Sequence, residues 1–122
     1  MPSKPLREPT YLILVALADQ PRHGYGIILT VAELSNGRTK LGPGTLYGAL
    51  DRLTSESLIE ADHDEVVDGR LRRYYRISEH GRKVVVDETI RLATLTDRVT
   101  THLGGIAGLA APEQQGEPGS AP

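Results

Sequence analysis

The sequence predicts a mainly α fold with a small β-hairpin, on three observations. Between Pro9 and Ser57 a short continuous apolar run, Tyr11 to Ala18, is followed by two segments whose apolar residues recur at helical spacing. Asp68-Gly69 then lies between two segments of strand character, a strong short-range hairpin signal. Beyond the hairpin, Val85, Leu92, Val99 and Ile106 recur seven apart with Leu95 and Leu103 beside them, the pattern of a long helix with one apolar stripe.

The first helix opens at Pro9-Thr10 and carries the run Tyr11 to Ala18, which ends before Gln20-Pro21. Periodicity alone equally allows a buried strand there, but Leu and Ala dominate the second half and favour a helix. Tyr25 to Ser35 forms the second helix, with Tyr25, Ile28, Leu29 and Ala32 beside a stripe of Ile27, Val31 and Leu34; Asn36-Gly37 supplies its left-handed end. The third helix runs from about Pro43 to Ser57. Pro43 sits where a missing N–H costs nothing, and Leu46, Leu50 and Leu53 form the buried side. Its opposite face offers Thr45, Gly48, Arg52 and Tyr47, either an ordinary solvated face or one suited to approaching another surface closely.

The second hairpin strand, Leu71 to Ile77, sets Arg72, Tyr74 and Arg76 on one face and Leu71, Tyr75 and Ile77 on the other, so a half-buried, two-stranded ribbon is expected. Ser78 is placed to cap the final helix. From Gly104 the composition shifts to Gly, Ala, Pro, Gln and Glu, and residues from about Ala110 are expected to form a disordered tail.

These elements divide into a domain over residues 1–77, a helix over 78–109 and the tail over 110–122. With 122 residues there is room for one core of modest size. The only aromatics are five tyrosines, so that core is aliphatic. With no Cys there is neither disulfide nor thiolate metal site, and the four histidines show no ligand spacing, so no metal or cofactor is expected. The longest apolar run, Tyr11 to Ala18, is too short to span a bilayer and follows no basic region with a cleavage site, which points to a soluble, cytoplasmic protein with no membrane partner.

A net charge of −2 argues, by itself, against a nucleic-acid partner. The charges are segregated, however. Between Leu58 and Gly69 they are Glu60, Asp62, Asp64, Glu65 and Asp68; between Arg70 and Lys83 they are Arg70, Arg72, Arg73, Arg76, Arg82 and Lys83 against Glu79 alone. Screening makes such a local block count for more than the total.

Three helices followed by a hairpin are the layout of a winged helix-turn-helix, in which the third helix enters the major groove and the hairpin lies on the adjacent backbone. The chemistry falls where that layout needs it. Gly42-Pro43-Gly44 after Lys40 opens the third helix, where free amides attract phosphate and small residues admit a close approach, and arginines gather at the hairpin tip. The same glycines do not match a nucleotide-binding loop, because no Gly-Lys-Ser/Thr follows. His23 beside Gly24 has no triad partners, so helix capping or a phosphate contact is expected of it. No catalytic residues are identified.

The segment Leu41-Gly-Pro-Gly-Thr-Leu-Tyr-Gly-Ala-Leu-Asp-Arg-Leu53 resembles the recognition helix of the PadR family of bacterial transcription regulators. Leu6-Arg-Glu-Pro-Thr-Tyr-Leu-Ile-Leu14 is similar to the family's first helix, His23-Gly-Tyr25 to the start of its second, and Asp68-Gly-Arg-Leu-Arg-Arg-Tyr-Tyr-Arg-Ile77 to its wing. With Ser78-Glu-His-Gly-Arg82 these motifs cover Leu6 to Arg82 in the family's order and spacing, and the chain resembles the subtype with a short C-terminal helix. Gly42 stands where Ser is usual and Ser57 where Gly is usual, which predicts a weaker cap at one end of the third helix and left-handed strain at the other.

The resemblance implies a double-stranded DNA operator as partner, with Thr45 and Tyr47 on the groove and Tyr25 and Lys40 on phosphates; Gly44 and Arg52 join them on the helix, and Arg70, Arg72 and Arg73 follow along the wing. Two readings compete with these: Tyr47 packing into the core, and the wing arginines pairing with the acidic run Glu60 to Glu65, with Arg70 at the tip freest. It also implies a homodimer built from the first and last helices, here through Leu12, Val85, Leu92, Leu95, Val99 and Leu103. Some members hold a small aromatic effector between those helices, for which Tyr11 is the aromatic candidate. The expectation is a repressor that binds a palindromic operator and is released by an effector; the alternative is a winged-helix module that binds protein instead of DNA.

Overall fold

Each helix begins where the sequence supplies a start signal. Pro9 sits in the first turn of α1 (Glu8–Ala16) and Pro43 in that of α3 (Pro43–Ser55), where no intrahelical N–H bond is lost. The His23 ring caps α2 (Gly24–Leu34), its Nδ1 accepting from the Gly26 amide at 3.3 Å. Ser78 accepts from the Gly81 amide at 2.9 Å at the start of α4 (Glu79–His102), as expected of it. The structure, a computed structural model, describes residues 4–109. The tail expected from Ala110 lies outside them.

The helix ends follow the same logic. Asn36 and Gly37 adopt φ of 53° and 80° after α2, and the Gly37 amide reaches back to the Ala32 carbonyl at 2.7 Å. Ser57 takes φ 62°, the left-handed geometry in which a side chain is strained, and the Leu58 amide closes onto the Leu53 carbonyl at 2.9 Å. At the end of α1 two guanidiniums take up free carbonyls: Arg22 Nε donates to Ala16 O at 2.7 Å and Arg82 Nη2 to Ala18 O at 2.6 Å.

Strands β2 (Ile59–Val67) and β3 (Arg70–Ile77) form the expected antiparallel hairpin, turned by Asp68 and Gly69, both at positive φ. The sheet nevertheless has three strands, not two. Arg22–His23 forms a short β1 that pairs antiparallel with β3, Arg22 opposite Tyr75 and His23 opposite Tyr74. A two-residue strand has no periodicity to detect; it exists because the α1–α2 connection passes the free edge of β3. The placement of Leu71 on a buried face is also corrected: it is 65% exposed, because the distal hairpin extends past the core.

The described residues fall into two compact units, one ending at Glu88 and one starting at Thr89. The first holds the aliphatic core: Ile13, Leu14 and Leu17; Ile27 and Val31; Leu46, Leu50 and Leu53 from α3; then Leu58, Ile59 and Val85. One corner ties it together. Ser78 Oγ donates to Ser57 O at 2.6 Å, and Gly81 lies so close to the Leu58 carbonyl that a Cβ there would stand 2.0 Å from its oxygen.

In the second unit, α4 ends at His102, and a turn over 103–104, with Gly104 at φ 91°, separates it from a helical stretch over 105–109 that opens on Gly105 at φ 85°. Ile106 therefore lies beyond the helix whose stripe it was expected to extend. Leu95, Val99 and Leu103 are each about half exposed. Val85 is a core residue at 7% exposure and so does not belong to the free stripe; in the first unit the start of α4 must cover Leu58 and Ile59.

Candidate nucleic-acid interface

Helix α3 turns Leu46, Leu50 and Leu53 inward, so Gly44 and Gly48 are left on its outer side. A Cβ added to Gly44 or Gly48 would meet nothing within 4 Å. Nothing in the chain requires a glycine at either place, and Gly48 gives up about 1 kcal/mol of helix propensity relative to Ala. The result is a bare ridge of backbone facing outward.

On one shoulder of that ridge the wing and two helices enclose a cleft of about 500 Å³, lined among others by Tyr25, Tyr47, Arg70, Arg72 and Arg73. The structure thus brings together five of the residues expected on DNA, from α2, α3 and β3. Tyr25 is 63% exposed and Tyr47 50%. The Tyr47 phenol packs its outer end over buried Gly24 and leaves the rest of the ring in the cleft, so it is neither a core residue nor a free one.

On the other shoulder Thr45 and Arg52 line a second groove, of about 520 Å³, against the start of α1. Arg52 Nη2 donates to Thr10 Oγ1 at 3.2 Å, so its guanidinium is held toward α1 rather than toward the wing. Lys40 is exposed ahead of α3 and lies in neither cavity.

The charge segregation in the sequence resolves inside the hairpin. Arg76 pairs with Glu60 at 2.8 Å and with Asp62 at 3.2 Å, and Arg73 pairs with Asp64 at 3.3 Å. His63 bridges Asp62 and Glu65 through its two ring nitrogens. The acidic run is thereby largely matched by partners on the wing itself. Among the described residues, Arg70 and Arg72 form no ion pair, so these two cations near the tip remain available. Pairing with the acidic run thus accounts for Arg73 and leaves Arg70 free, as the sequence suggested.

Two histidines flank Tyr74, a cluster that sequence reasoning did not single out. The His63 ring stacks on Tyr74 with centroids 4.4 Å apart, and the His23 ring meets it edge-on at 5.2 Å. Hydrogen bonds to Asp62 and Glu65 raise the pKa of His63, and its proton in turn holds both carboxylates below their ordinary range. Burial, helped by the Arg72 cation, lowers that of His23. The only signal in the sequence was a histidine set among acids, Asp62-His63-Asp64-Glu65.

Comparison with known proteins agrees with this arrangement. The family model described as the transcriptional regulator PadR-like family matches residues 13–87. A transcriptional regulator of Mycobacterium tuberculosis is 38% identical over 93 residues, covering 76% of this chain and 80% of that protein. An uncharacterized 37.1 kDa protein in a transposon of Streptomyces fradiae is 40% identical over 88 residues, 72% of this chain, and this chain spans only 24% of that protein's length. The solved structure of Bacillus subtilis PadR in complex with operator DNA shares the fold, with a TM-score of 0.61 and 22% identity over 69% of this chain and 48% of that one.

Proposed function

The chain belongs to the PadR-like family of transcriptional regulators, and on that premise we propose that it binds double-stranded operator DNA as a homodimer. It is a regulator, not an enzyme. In this reading α3 enters the major groove along the Gly44–Gly48 ridge, and the wing reaches the adjacent backbone through Arg70 and Arg72. Tyr25 and Lys40 meet phosphates, with Tyr47 and Thr45 on either shoulder of α3. Arg73 and Arg52 act more indirectly, because each is held by another side chain.

The observation that carries the reading is the bare ridge beside the free cations. Glycines with open space at their Cβ positions weaken a helix without helping the chain to pack, which makes sense where another backbone must come close. Bacillus subtilis PadR, which shares the fold, has been solved with operator DNA.

The finer points rest on the resemblance. They are repression, a palindromic operator matching a two-fold dimer, and release by a small aromatic effector near Tyr11, which packs partly buried against the core. A separate DNA-binding domain over residues 1–77 and a dimerisation helix over 78–109 belong to the same reading. Among the described residues no helix is long and apolar enough to cross a membrane, and a cytoplasmic site of action is part of the proposal.

The test is a salt titration of binding to the promoter region beside the protein's own gene. Each phosphate contact contributes a slope of about one, so Arg70→Ala and Lys40→Ala should each weaken binding and flatten the slope by about that amount. Unchanged slopes in both variants would remove the assigned roles.

A further inference from the structure

Glu65 and Arg72 are direct register partners across β2 and β3, so their side chains rise from the same face of the wing. A carboxylate and a guanidinium placed in this way are natural ion-pair partners, as Arg73 is with Asp64 and Arg76 with Glu60, each across its own rung. Arg72 nevertheless forms no ion pair among the described residues. The Glu65 carboxylate is taken by His63 instead, with Oε2 at 3.0 Å from His63 Nε2. The other ring nitrogen of His63, Nδ1, meets Asp62, which the bulge leaves beside it without a register partner. A ring with a carboxylate at each nitrogen donates twice and is therefore the imidazolium. It lies stacked on Tyr74, its own register partner, which fixes the plane in which Nε2 reaches Glu65.

We propose that His63 is a positioning residue for DNA binding: as the imidazolium it holds Glu65 off Arg72 and leaves that guanidinium free for a phosphate, and on losing its proton it releases Glu65 to take the phosphate's place. This rests on the reading above in which Arg72 meets the DNA backbone. Neutral imidazole keeps a single N–H, so it serves Asp62 or Glu65 but not both, and its charge is gone. The other donor to Glu65 is the Tyr74 hydroxyl, which is also neutral. Arg72 stays charged throughout, and a charge-assisted bond to a carboxylate is roughly twice as strong as a neutral one. Hydrogen bonds from His63 and Tyr74 hold the Glu65 carboxyl below its ordinary range, and the Arg72 charge adds to the effect, so the guanidinium is within reach.

The titratable and charged groups around the ring are Asp62 and Glu65 from β2, Tyr74 and Arg72 from β3, Arg76 through Asp62, and His23 of β1 on Tyr74. Asp64 and Arg73 pair with each other on the opposite face. His63 is raised above 6.5 by its bonds to Asp62 and Glu65, whereas desolvation and then the Arg72 cation lower His23. Of the two histidines on Tyr74, only His63 therefore changes charge as pH rises above 6.5.

The experiment compares the full wild-type chain with E65Q, H63Q, R72A, H63Q/E65Q and E65Q/R72A. Binding to promoter DNA is followed by fluorescence anisotropy across a salt series at successive pH values above 6.5. Wild type should lose roughly fivefold in affinity and about one unit of salt slope as pH rises, the loss of one phosphate contact. E65Q should keep the low-pH affinity throughout. H63Q should bind weakly from the start, and H63Q/E65Q should restore it. In the R72A background E65Q should change nothing, whereas a mere gain in net charge would strengthen binding with or without Arg72.

An E65Q profile that falls with pH as wild type does, or an E65Q gain that persists without Arg72, would overturn the contest for Glu65 while leaving DNA binding intact. R72A with wild-type affinity and salt slope would instead remove Arg72 from the DNA contacts, and the reading on which this inference rests would fail first.

Discussion

The Tyr47 phenol lies over Gly24, where an added Cβ would stand 2.4 Å from the hydroxyl oxygen and 2.9 Å from Cζ. The missing side chain at the start of α2 therefore decides where an α3 side chain points. Gly24→Ala should drive the ring out of its seat. Since the clash is with the far end of a half-exposed side chain, the stability cost should stay under about 1 kcal/mol. DNA affinity should fall several-fold, and Tyr47→Ala should produce the same loss with no further effect when combined with Gly24→Ala. Melting curves and a double-mutant binding cycle measure both; additive losses would separate the two residues.

Gly48 allows the opposite experiment. With open space at its Cβ position, Gly48→Ala should raise stability by about 1 kcal/mol through helix propensity. The same methyl should weaken DNA binding by holding the α3 backbone away from the groove. A variant that melts higher and binds equally well would mean that DNA does not run along this ridge. Chemical denaturation beside a gel-shift titration decides it.

The two histidines around Tyr74 should titrate on opposite sides of 6.5, their ordinary value. His63 is raised, so its stabilising contribution is fully present below 6.5 and is lost as pH rises through its folded-state pKa. His23 is lowered by desolvation of its partly buried ring and by the Arg72 cation; its contribution is present above 6.5 and is lost as pH falls through its own folded-state pKa. Ring-proton NMR should show the His63 midpoint above that of His23. The stability gap between wild type and His63→Gln should narrow as pH rises above 6.5. The reverse order of midpoints would contradict the wing geometry.

Leu95 and Val99 are each about half exposed on α4, where Leu92 and Val99 are what remains of the seven-residue repeat. If the proposed homodimer is built on this stripe, replacing both by Asp should give a monomer by sedimentation while the core melts nearly as before. Operator affinity should drop by at least tenfold, since two half-sites are no longer bound together. A variant that remains dimeric would move the interface elsewhere.

Where a feature depends on residues adjacent in the chain, it was legible. Pro9 and Pro43 marked helix starts, Asn36-Gly37 and Asp68-Gly69 marked turns, and the leucines of α3 marked its buried side, because capping, turn geometry and helical period act over a few residues. Strain at Ser57 was readable for the same reason. The motif Ser78-Glu-His-Gly81 was recognisable as a pattern, but its cause, the Leu58 carbonyl against Gly81, is a contact between distant segments.

By itself, the sequence determined the order of elements, an aliphatic core, a basic wing within an acidic protein and the family those motifs resemble. Only the tertiary structure decided which charges are spent and which are free. Arg73 and Arg76 are neutralised across the hairpin while Arg70 and Arg72 are not, because register and one bulge between Ala61 and His63 choose the partners. It also decided that Arg22–His23 adds a strand and that Val85 is core. The physical reason is common to all three: each depends on which distant segments the packed core brings within a few ångströms, and no local rule of spacing contains that information.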